Sequence, residues 1–130
     1  MSKKELSQLF WLNKEIVMWQ QKLTRLENQS LVKGHQLTGM PSSDNRTTSK
    51  VENRAIVLEE IREHILNLQN RAEREQVRIL KYIEGIEDCF IRQIIQYRFL
   101  ELKSWKEVAA SMGGENTSES VRKALQRFLK

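Results

Sequence analysis

Residues 104–130 read SWKEVAASMGGENTSESVRKALQRFLK, and this stretch decides the fold of the C-terminal part of the chain. Apolar residues at helical spacing precede a pair of glycines, and a second set of apolar residues follows it. Because glycine readily adopts the positive φ on which many helices end, Gly113 and Gly114 predict a break between two short helices. The stretch therefore predicts a helix, a turn and a second, basic helix.

Capping signals mark where these two helices begin. Ser104 and Glu107 have the spacing of a capping box, in which each side chain accepts a hydrogen bond from the backbone of the other residue. Asn116, followed three residues later by Glu119, is the second capping signal. The apolar residues predict the buried faces, which are Trp105, Val108, Ala109 and Met112 in the first helix and Val121, Leu125 and Phe128 in the second.

Polar and basic side chains are predicted on the opposite face of the last helix. The candidate DNA-binding residues are Thr117, Ser118, Glu119, Arg122, Lys123, Gln126 and Arg127. Arginine and lysine donate to guanine or to phosphates, glutamine pairs with adenine, and backbone amides at a helix N-terminus bind phosphate. The pattern is typical of a helix-turn-helix that binds double-stranded DNA. The alternative is a plain helical bundle whose last helix has a charged, solvated face.

Two longer helices are predicted upstream, each with an apolar seam. The seam of the helix over residues 1–33 consists of Leu9, Leu12, Ile16, Trp19, Leu23 and Leu26. The seam of the central helix over residues 50–86 consists of Val51, Leu58, Ile61, Ile65, Leu68, Ala72, Ile79, Tyr82 and Ile86, and Arg54 and Glu75 interrupt it. Such a helix cannot bury its seam alone. We expect an antiparallel hairpin within the chain, and pairing between two copies is the alternative.

The rest of the chain completes the predicted organisation. Residues 34–49 are rich in Gly, Ser and Thr and predict a mobile linker, and Ser49 with Glu52 predicts the cap of the central helix. Residues 87–130 form the predicted helix-turn-helix domain, whose first helix is capped by Glu87 or Asp88 and has the apolar stripe Ile91, Ile94, Ile95 and Phe99. The predicted fold class is all-α, a long helical hairpin or coiled coil followed by a C-terminal helix-turn-helix.

Composition argues against several classes of protein. Cys89 is the only cysteine, which excludes an intrachain disulfide, favours a reducing compartment and predicts a small core residue. His35 and His64 stand apart from other ligand-type residues, so we expect no metal, no cofactor and no enzymatic activity. No apolar run is long enough for a leader or a membrane span, which predicts a cytoplasmic protein with no membrane partner. A net charge of +5 permits a polyanionic partner.

Residues 94–113, IIQYRFLELKSWKEVAASMG, followed by SESVRKALQRFLK, resemble the region-four DNA-binding domain of bacterial sigma factors. The shared features are an arginine and an aromatic residue before the loop, a helix that contains a Glu-Ile-Ala-like sequence (here Glu107-Val108-Ala109) and ends in glycine, and the Val121-Arg122 pair in the recognition helix. The turn GGENT is longer than the one typical of region four. Individual base contacts are therefore not carried over from that domain.

From about Met40 onward the chain also resembles a family of small phage and prophage proteins of Gram-positive bacteria. The shared features are Met40-Pro41, a long helix, Tyr97-Arg98 before Ser104-Trp105, and a glycine-rich turn before SVRKA. Members of that family are described as sigma-like or as late-gene transcriptional regulators. The resemblance implies a phage-type, DNA-binding transcriptional regulator in the cytoplasm of a bacterial host cell.

Two other functions remain open at this stage. A helix-turn-helix attached to a coiled coil also fits a phage DNA-packaging subunit, similar to a small terminase, that assembles into a ring on DNA. The module could instead be a protein-binding adaptor that acts on RNA polymerase. The expected partners are thus double-stranded DNA, RNA polymerase, and further copies of this chain paired through the helical scaffold. Solution mass measured together with salt-dependent DNA binding separates these functions.

Overall fold

The structure is a computed structural model that describes the backbone of residues 1–35 and 44–130 and the side chains of residues 1–29 and 52–130. All regular secondary structure in these ranges is helical, which confirms the predicted all-α class. The elements are α1 (Lys3–Leu6), α2 (Gln8–His35), α3 (Asp44–Glu84), α4 (Cys89–Ile95), a π-helical turn (Gln96–Leu100), α5 (Trp105–Met112) and α6 (Ser118–Phe128). The chain divides into two compact units, one of residues 14–70 and one of residues 1–13 with 71–130.

The helix boundaries differ from the predicted linker at 34–49. Helix α2 continues to His35 and α3 already begins at Asp44. Position 49 therefore lies inside α3, and the prediction that Ser49 caps this helix was wrong. The polar first turn after Asp44 has the composition of a solvated loop, so composition alone could not distinguish it from one. The rest of the linker, residues 36–43 with Met40-Pro41, lies outside the described residues.

In the unit of residues 14–70, the α2 and α3 segments share an apolar seam. Its buried residues are Ile16, Ile61, Ile65 and Leu68. The ring of Trp19 meets the ring of His64 edge-on, with 4.9 Å between centroids. Arg54 of α3 donates from Nη2 to the carbonyl oxygen of Leu26 at 3.0 Å. Since residue 19 faces 64 and residue 26 faces 54, the two segments run antiparallel within one chain.

The polar interruption of this seam at Arg54 has a local explanation. Its side chain is half-buried, and its guanidinium satisfies a carbonyl of the facing helix. A long arginine side chain can cover apolar surface with its methylene groups while its head finds a polar partner. Further along the same pair of helices, Arg62 Nη2 lies 3.0 Å from Glu27 Oε1. Both contacts connect α2 to α3 without breaking the apolar seam.

In the unit of residues 1–13 and 71–130, α1 begins with a cap that the sequence analysis did not identify. The Ser2 hydroxyl accepts from the Glu5 amide at 3.2 Å, and Glu5 Oε2 accepts from the Ser2 amide at 2.8 Å. Glu5 Oε1 also lies 3.4 Å from Arg78 Nη2 of α3. The apolar residues contributed to the core of this unit by α1, α2 and α3 are Leu6, Leu9, Leu12, Ala72 and Ile79.

Helices α4, α5 and α6 and the π-helical turn pack on one another in the same unit and form a C-terminal helical module. Asp88 caps α4, with its Oδ1 accepting from the Phe90 amide at 2.9 Å. The buried residues of the module are Ile91, Ile94, Ile95, Phe99, Val108, Ala109, Val121 and Leu125. All of them belong to the predicted apolar faces.

Two predicted core residues of the module are exposed. Cys89 is exposed, because it occupies the first position of α4 and the buried stripe starts at Ile91. Phe128 is 40% exposed, because it lies in the last turn of α6, beyond the buried Leu125. The predictions that Cys89 is a core residue and that Phe128 is packed were therefore wrong. In the described ranges, no helix combines the length and apolar character needed to cross a bilayer.

Candidate nucleic-acid interface

Arg98 positions the loop that leads into α5. Its guanidinium lies 4.7 Å above the ring centroid of Trp105. Its Nη1 donates to the carbonyl oxygen of Lys103 at 2.9 Å, across a loop in which Leu102 has a φ of 58°. Partial burial lowers the pKa of the Arg98 guanidinium from its ordinary value. This cation therefore stabilises the entry to α5 rather than standing out as a ligand contact.

The start of α5 is capped where the sequence predicted it. The Ser104 hydroxyl accepts from the Glu107 amide at 3.2 Å. The return bond from the Ser104 amide to the Glu107 carboxylate is not formed, so only one of the two bonds of the predicted capping box is present. The next residue, Trp105, is half-buried, and Val108 and Ala109 lie in the core of the module. The cap and the two core residues together determine which side of α5 faces α4 and α6.

The turn between α5 and α6 depends on glycine. Gly113 has φ 74° and ψ −171°, and Gly114 has φ 66°. The Gly113 amide donates to the Ala109 carbonyl at 3.2 Å, and the Asn116 side chain donates to the Gly113 carbonyl at 2.8 Å. Residues with a side chain rarely adopt such a positive φ. The predicted break at the two glycines is confirmed.

The cap of α6 lies one residue later than predicted. Thr117, not Asn116, is the N-cap, and its Oγ1 accepts from the Ser120 amide at 3.1 Å. The Ser120 hydroxyl accepts in return from the Thr117 amide at 2.9 Å, so Ser120 rather than Glu119 completes the capping box. Asn116 is bonded to the turn instead. A threonine and a serine three positions apart were the signal that the sequence analysis missed.

The polar face of α6 consists of the residues that the sequence analysis selected. Thr117, Ser118, Glu119, Arg122, Lys123, Gln126 and Arg127 are all exposed. On the other side of the helix, Val121 is 0% and Leu125 2% exposed. The packing of α6 in the module therefore leaves one continuous polar face available to a partner.

Two residues of this face form an ion pair. Lys123 Nζ lies 3.1 Å from Glu119 Oε1, one helical turn away. The hydrogen bond from Lys123 and its positive charge hold the pKa of the Glu119 carboxyl below its ordinary value, with a smaller contribution from the charge of Arg122. The carboxylate is thus held against Lys123, and Arg122 and Arg127 give the face its basic character.

Two lysines near α5 were not among the predicted site residues. Lys106 is exposed in the first turn of α5, and the 3.6-residue period of this helix places it on the side opposite the buried Val108. Lys103 is engaged within the module, because its Nζ donates to the Ser111 hydroxyl at 3.0 Å and lies 4.7 Å above the ring of Tyr97. Lys106 is therefore a further exposed cation of the C-terminal helical module, whereas Lys103 is engaged within it.

Within the part of the chain that the structure describes, no group of three or more His, Cys, Asp or Glu side chains is arranged to hold a metal ion. Comparisons with known proteins gave no match to a protein-family model, to a curated protein or to a solved structure. The family resemblance drawn from the sequence thus stays a prediction.

Proposed function

We propose that this chain is a phage-type transcriptional regulator that binds double-stranded DNA by placing α6 in the major groove. The observation that carries the proposal is the two-sided character of α6. Val121 and Leu125 are buried, while Arg122, Gln126 and Arg127 are exposed on the same helix. A helix held along one side by two others, with a free basic side, fits the width of the major groove.

The chemistry of the exposed face suits both parts of a duplex. Arginine side chains such as Arg122 and Arg127 donate to guanine O6 and N7 or to phosphate oxygens, and Gln126 can pair with adenine. At the start of α6, amides that lack an intrahelical partner can donate to a phosphate near Ser118. The face therefore offers donors both for positioning the helix on the backbone and for reading bases.

The charge of the last helix supports the same partner. Residues 117–130 contain four basic side chains and one acidic side chain, Glu119, which is paired with Lys123. Exposed cations on one helix attract the phosphate backbone over a distance of about one Debye length, roughly 8–10 Å at physiological salt. Net attraction of this kind speeds encounter with DNA and makes binding dependent on salt.

The test is DNA binding by the single variants Arg122→Gln and Arg127→Gln. Anisotropy of a labelled pool of random duplexes, and of the preferred duplex selected from that pool, is measured over a range of salt concentrations. Loss of one phosphate contact should lower the slope of log K against log salt by about 0.9, and loss of a base contact should cost about 1–3 kcal/mol on the preferred sequence. Arg74→Gln, an exposed arginine of α3, is the control for loss of one positive charge.

Other outcomes would replace the proposal. If both variants bind every duplex as tightly as the parent chain and the Arg74→Gln control, α6 does not contact DNA. Binding to RNA polymerase without DNA affinity would favour the adaptor. Sedimentation of the parent as a ring of many copies on DNA would favour the packaging subunit. Each of these measurements uses the full chain, so no separate folding of the C-terminal helical module is assumed.

A further inference from the structure

A second basic surface lies at the other end of the sequence. The amide of Ser7 donates to Lys3 O at 3.0 Å, and the amide of Trp11 donates to Ser7 O at 3.3 Å, so helical bonds continue from α1 into α2. Positions 4, 8 and 11 then share one side, since residues three, four and seven apart lie close together on a helix. The side chains of Lys3, Lys4, Gln8 and Trp11 are called the N-terminal face below.

The opposite side of this helical stretch is already in the core. Leu6 and Leu9 are both 0% exposed, whereas Lys3 and Lys4 are exposed. The orientation of the N-terminal face is therefore determined by burial of the leucines. Any ligand that binds here must bind to a surface of two cations, one amide and one aromatic ring.

Trp11 is the unusual member of the N-terminal face, because its large side chain is 59% exposed. The ring of Phe10 meets it edge-on, with 5.1 Å between centroids and 81° between planes. A shallow cleft beside the indole is lined by Lys3, Lys4, Ser7, Gln8 and Trp11. The indole thus forms one wall of an open cleft, and the two charged groups of that cleft are both lysines.

The carboxylate nearest in sequence to the two lysines is engaged elsewhere. Glu5 is the only acidic residue among residues 1–13. Its Oε2 accepts from the Ser2 amide at 2.8 Å, and its Oε1 lies 3.4 Å from Arg78 Nη2. The carboxylate therefore offsets Arg78, and the charge of Lys3 and Lys4 remains to attract an anion.

Anionic lipid membranes and nucleic acids both combine negative charge with apolar groups. Helices that lie on lipid surfaces bury a large apolar face at the boundary between headgroups and acyl chains. Here the apolar side with Leu6 and Leu9 is buried, which leaves Trp11 as the one large apolar group of the N-terminal face. Nucleic acid requires no wide apolar face, since lysines bind its phosphates and an aromatic ring packs on a sugar or an unpaired base.

We infer that the N-terminal face binds the sugar–phosphate backbone of nucleic acid. Lys3 and Lys4 contact phosphate oxygens, the Gln8 amide donates to the same backbone, and the Trp11 indole packs on a sugar or an unstacked base. This contact is separate from the one proposed for α6 and does not rest on it. It would add phosphate contacts, and so salt dependence, without adding a preference for one base sequence.

The test compares two double variants of the full chain that lose the same charge. Lys3→Gln with Lys4→Gln removes the proposed contacts, and Arg74→Gln with Lys81→Gln removes two exposed cations of α3. Affinity for a labelled duplex and for a single strand of the same sequence is measured over a range of salt. The first variant should lower the log–log slope by about 1.8 on duplex DNA and by about 1.4 on a single strand. The second variant should leave both slopes close to those of the parent.

Trp11→Ala supplies a readout that does not depend on charge. If the indole stacks on a base, this variant should weaken single-strand binding by about 5- to 150-fold, with the slope against salt unchanged. A smaller loss on duplex than on single strand identifies base stacking, and equal losses identify packing on the sugar. Circular dichroism of each variant checks that the helices are retained, as expected for exposed side chains.

The outcomes separate this inference from the function proposed for α6. If the Lys3/Lys4 variant and the Trp11 variant bind like the α3 control, the inference is overturned while DNA binding through α6 stands. If these variants lose affinity but Arg122→Gln and Arg127→Gln do not, the inference stands and the α6 proposal fails. Binding of the parent to phosphatidylserine vesicles with no affinity for either nucleic acid would overturn the inference in favour of a lipid surface.

Discussion

Replacing Gly113 by alanine would put a side chain at a backbone position that only glycine adopts readily. The residue has φ 74° and ψ −171° at the end of α5. A Cβ added there would meet no heavy atom within 4 Å, so no steric clash contributes to the cost. The cost comes from backbone strain, which amounts to about 1–3 kcal/mol for a residue held in such a region and outweighs the gain of about 0.4–1 kcal/mol from restricting the unfolded chain. At 2 kcal/mol the ratio of folded to unfolded chain would fall by about 30-fold.

Gly85→Ala is the matched control, because Gly85 has no positive φ. The nearest atom to its added Cβ is the Tyr82 carbonyl oxygen at 3.5 Å, which is an ordinary contact. Where the backbone suits alanine, restriction of the unfolded chain stabilises a protein by about 0.4–1 kcal/mol. The two glycine-to-alanine changes should therefore shift the free energy of unfolding in opposite directions.

The assay is urea unfolding followed by far-UV circular dichroism, with the midpoint compared at constant slope. Gly113→Ala should lower the midpoint and Gly85→Ala should leave it unchanged or raise it. Equal midpoints for the two variants would refute the argument that the turn before α6 is held in a glycine-only conformation. The binding surface of α6 is not altered by either substitution, so the comparison concerns the fold alone.

Two further measurements test the burial and the electrostatics of α6. Leu125→Ala should lower the free energy of unfolding by about 2–5 kcal/mol. Phe128→Ala should lower it less, because the Phe128 ring is 40% exposed. An equal loss for the two variants in chemical denaturation would contradict the burial of Leu125 and the exposure of Phe128. The pKa of the Glu119 carboxyl, followed by NMR, should lie below its ordinary value and rise in Lys123→Gln. Because the folded pKa is depressed, stability contributed by this pair is present above the unfolded pKa and is lost as pH falls through the folded pKa. An identical Glu119 pKa in both proteins would rule out the ion pair.

The buried faces of the short helices could be predicted from the sequence, because apolar residues at a 3.6-residue period fall on one side of a helix and that side packs in the core. Ile94, Val108 and Leu125 were placed in the core on that basis, and the structure buries them. Exposure of Arg122 and Arg127 follows from the same period. Side chains on the opposite side of a buried stripe must face solvent or a partner.

Features that depend on competition between local bonds could not be read from the pattern. Asn116 and Thr117 are both good N-cap residues. Thr117 caps α6 because the side-chain amide of Asn116 is already bonded to the Gly113 carbonyl in the preceding turn. The π-helical turn at Gln96–Leu100, with the Glu101 amide donating to Gln96 O at 3.0 Å, had no sequence signal that we recognised. The Glu119–Lys123 pair, by contrast, has the one-turn spacing of a helical ion pair and was overlooked.

The exposure of Cys89 has a consequence for any determination of how many copies assemble. It is the only cysteine of the chain, and it lies on the surface at the start of α4. Under aerobic conditions two such thiols can oxidise to an intermolecular disulfide, which joins two chains covalently. That product has twice the mass of the chain, the same as a dimer paired through the helical scaffold. Measurements of mass therefore need a reductant or the Cys89→Ser variant before a dimer is assigned to helix pairing.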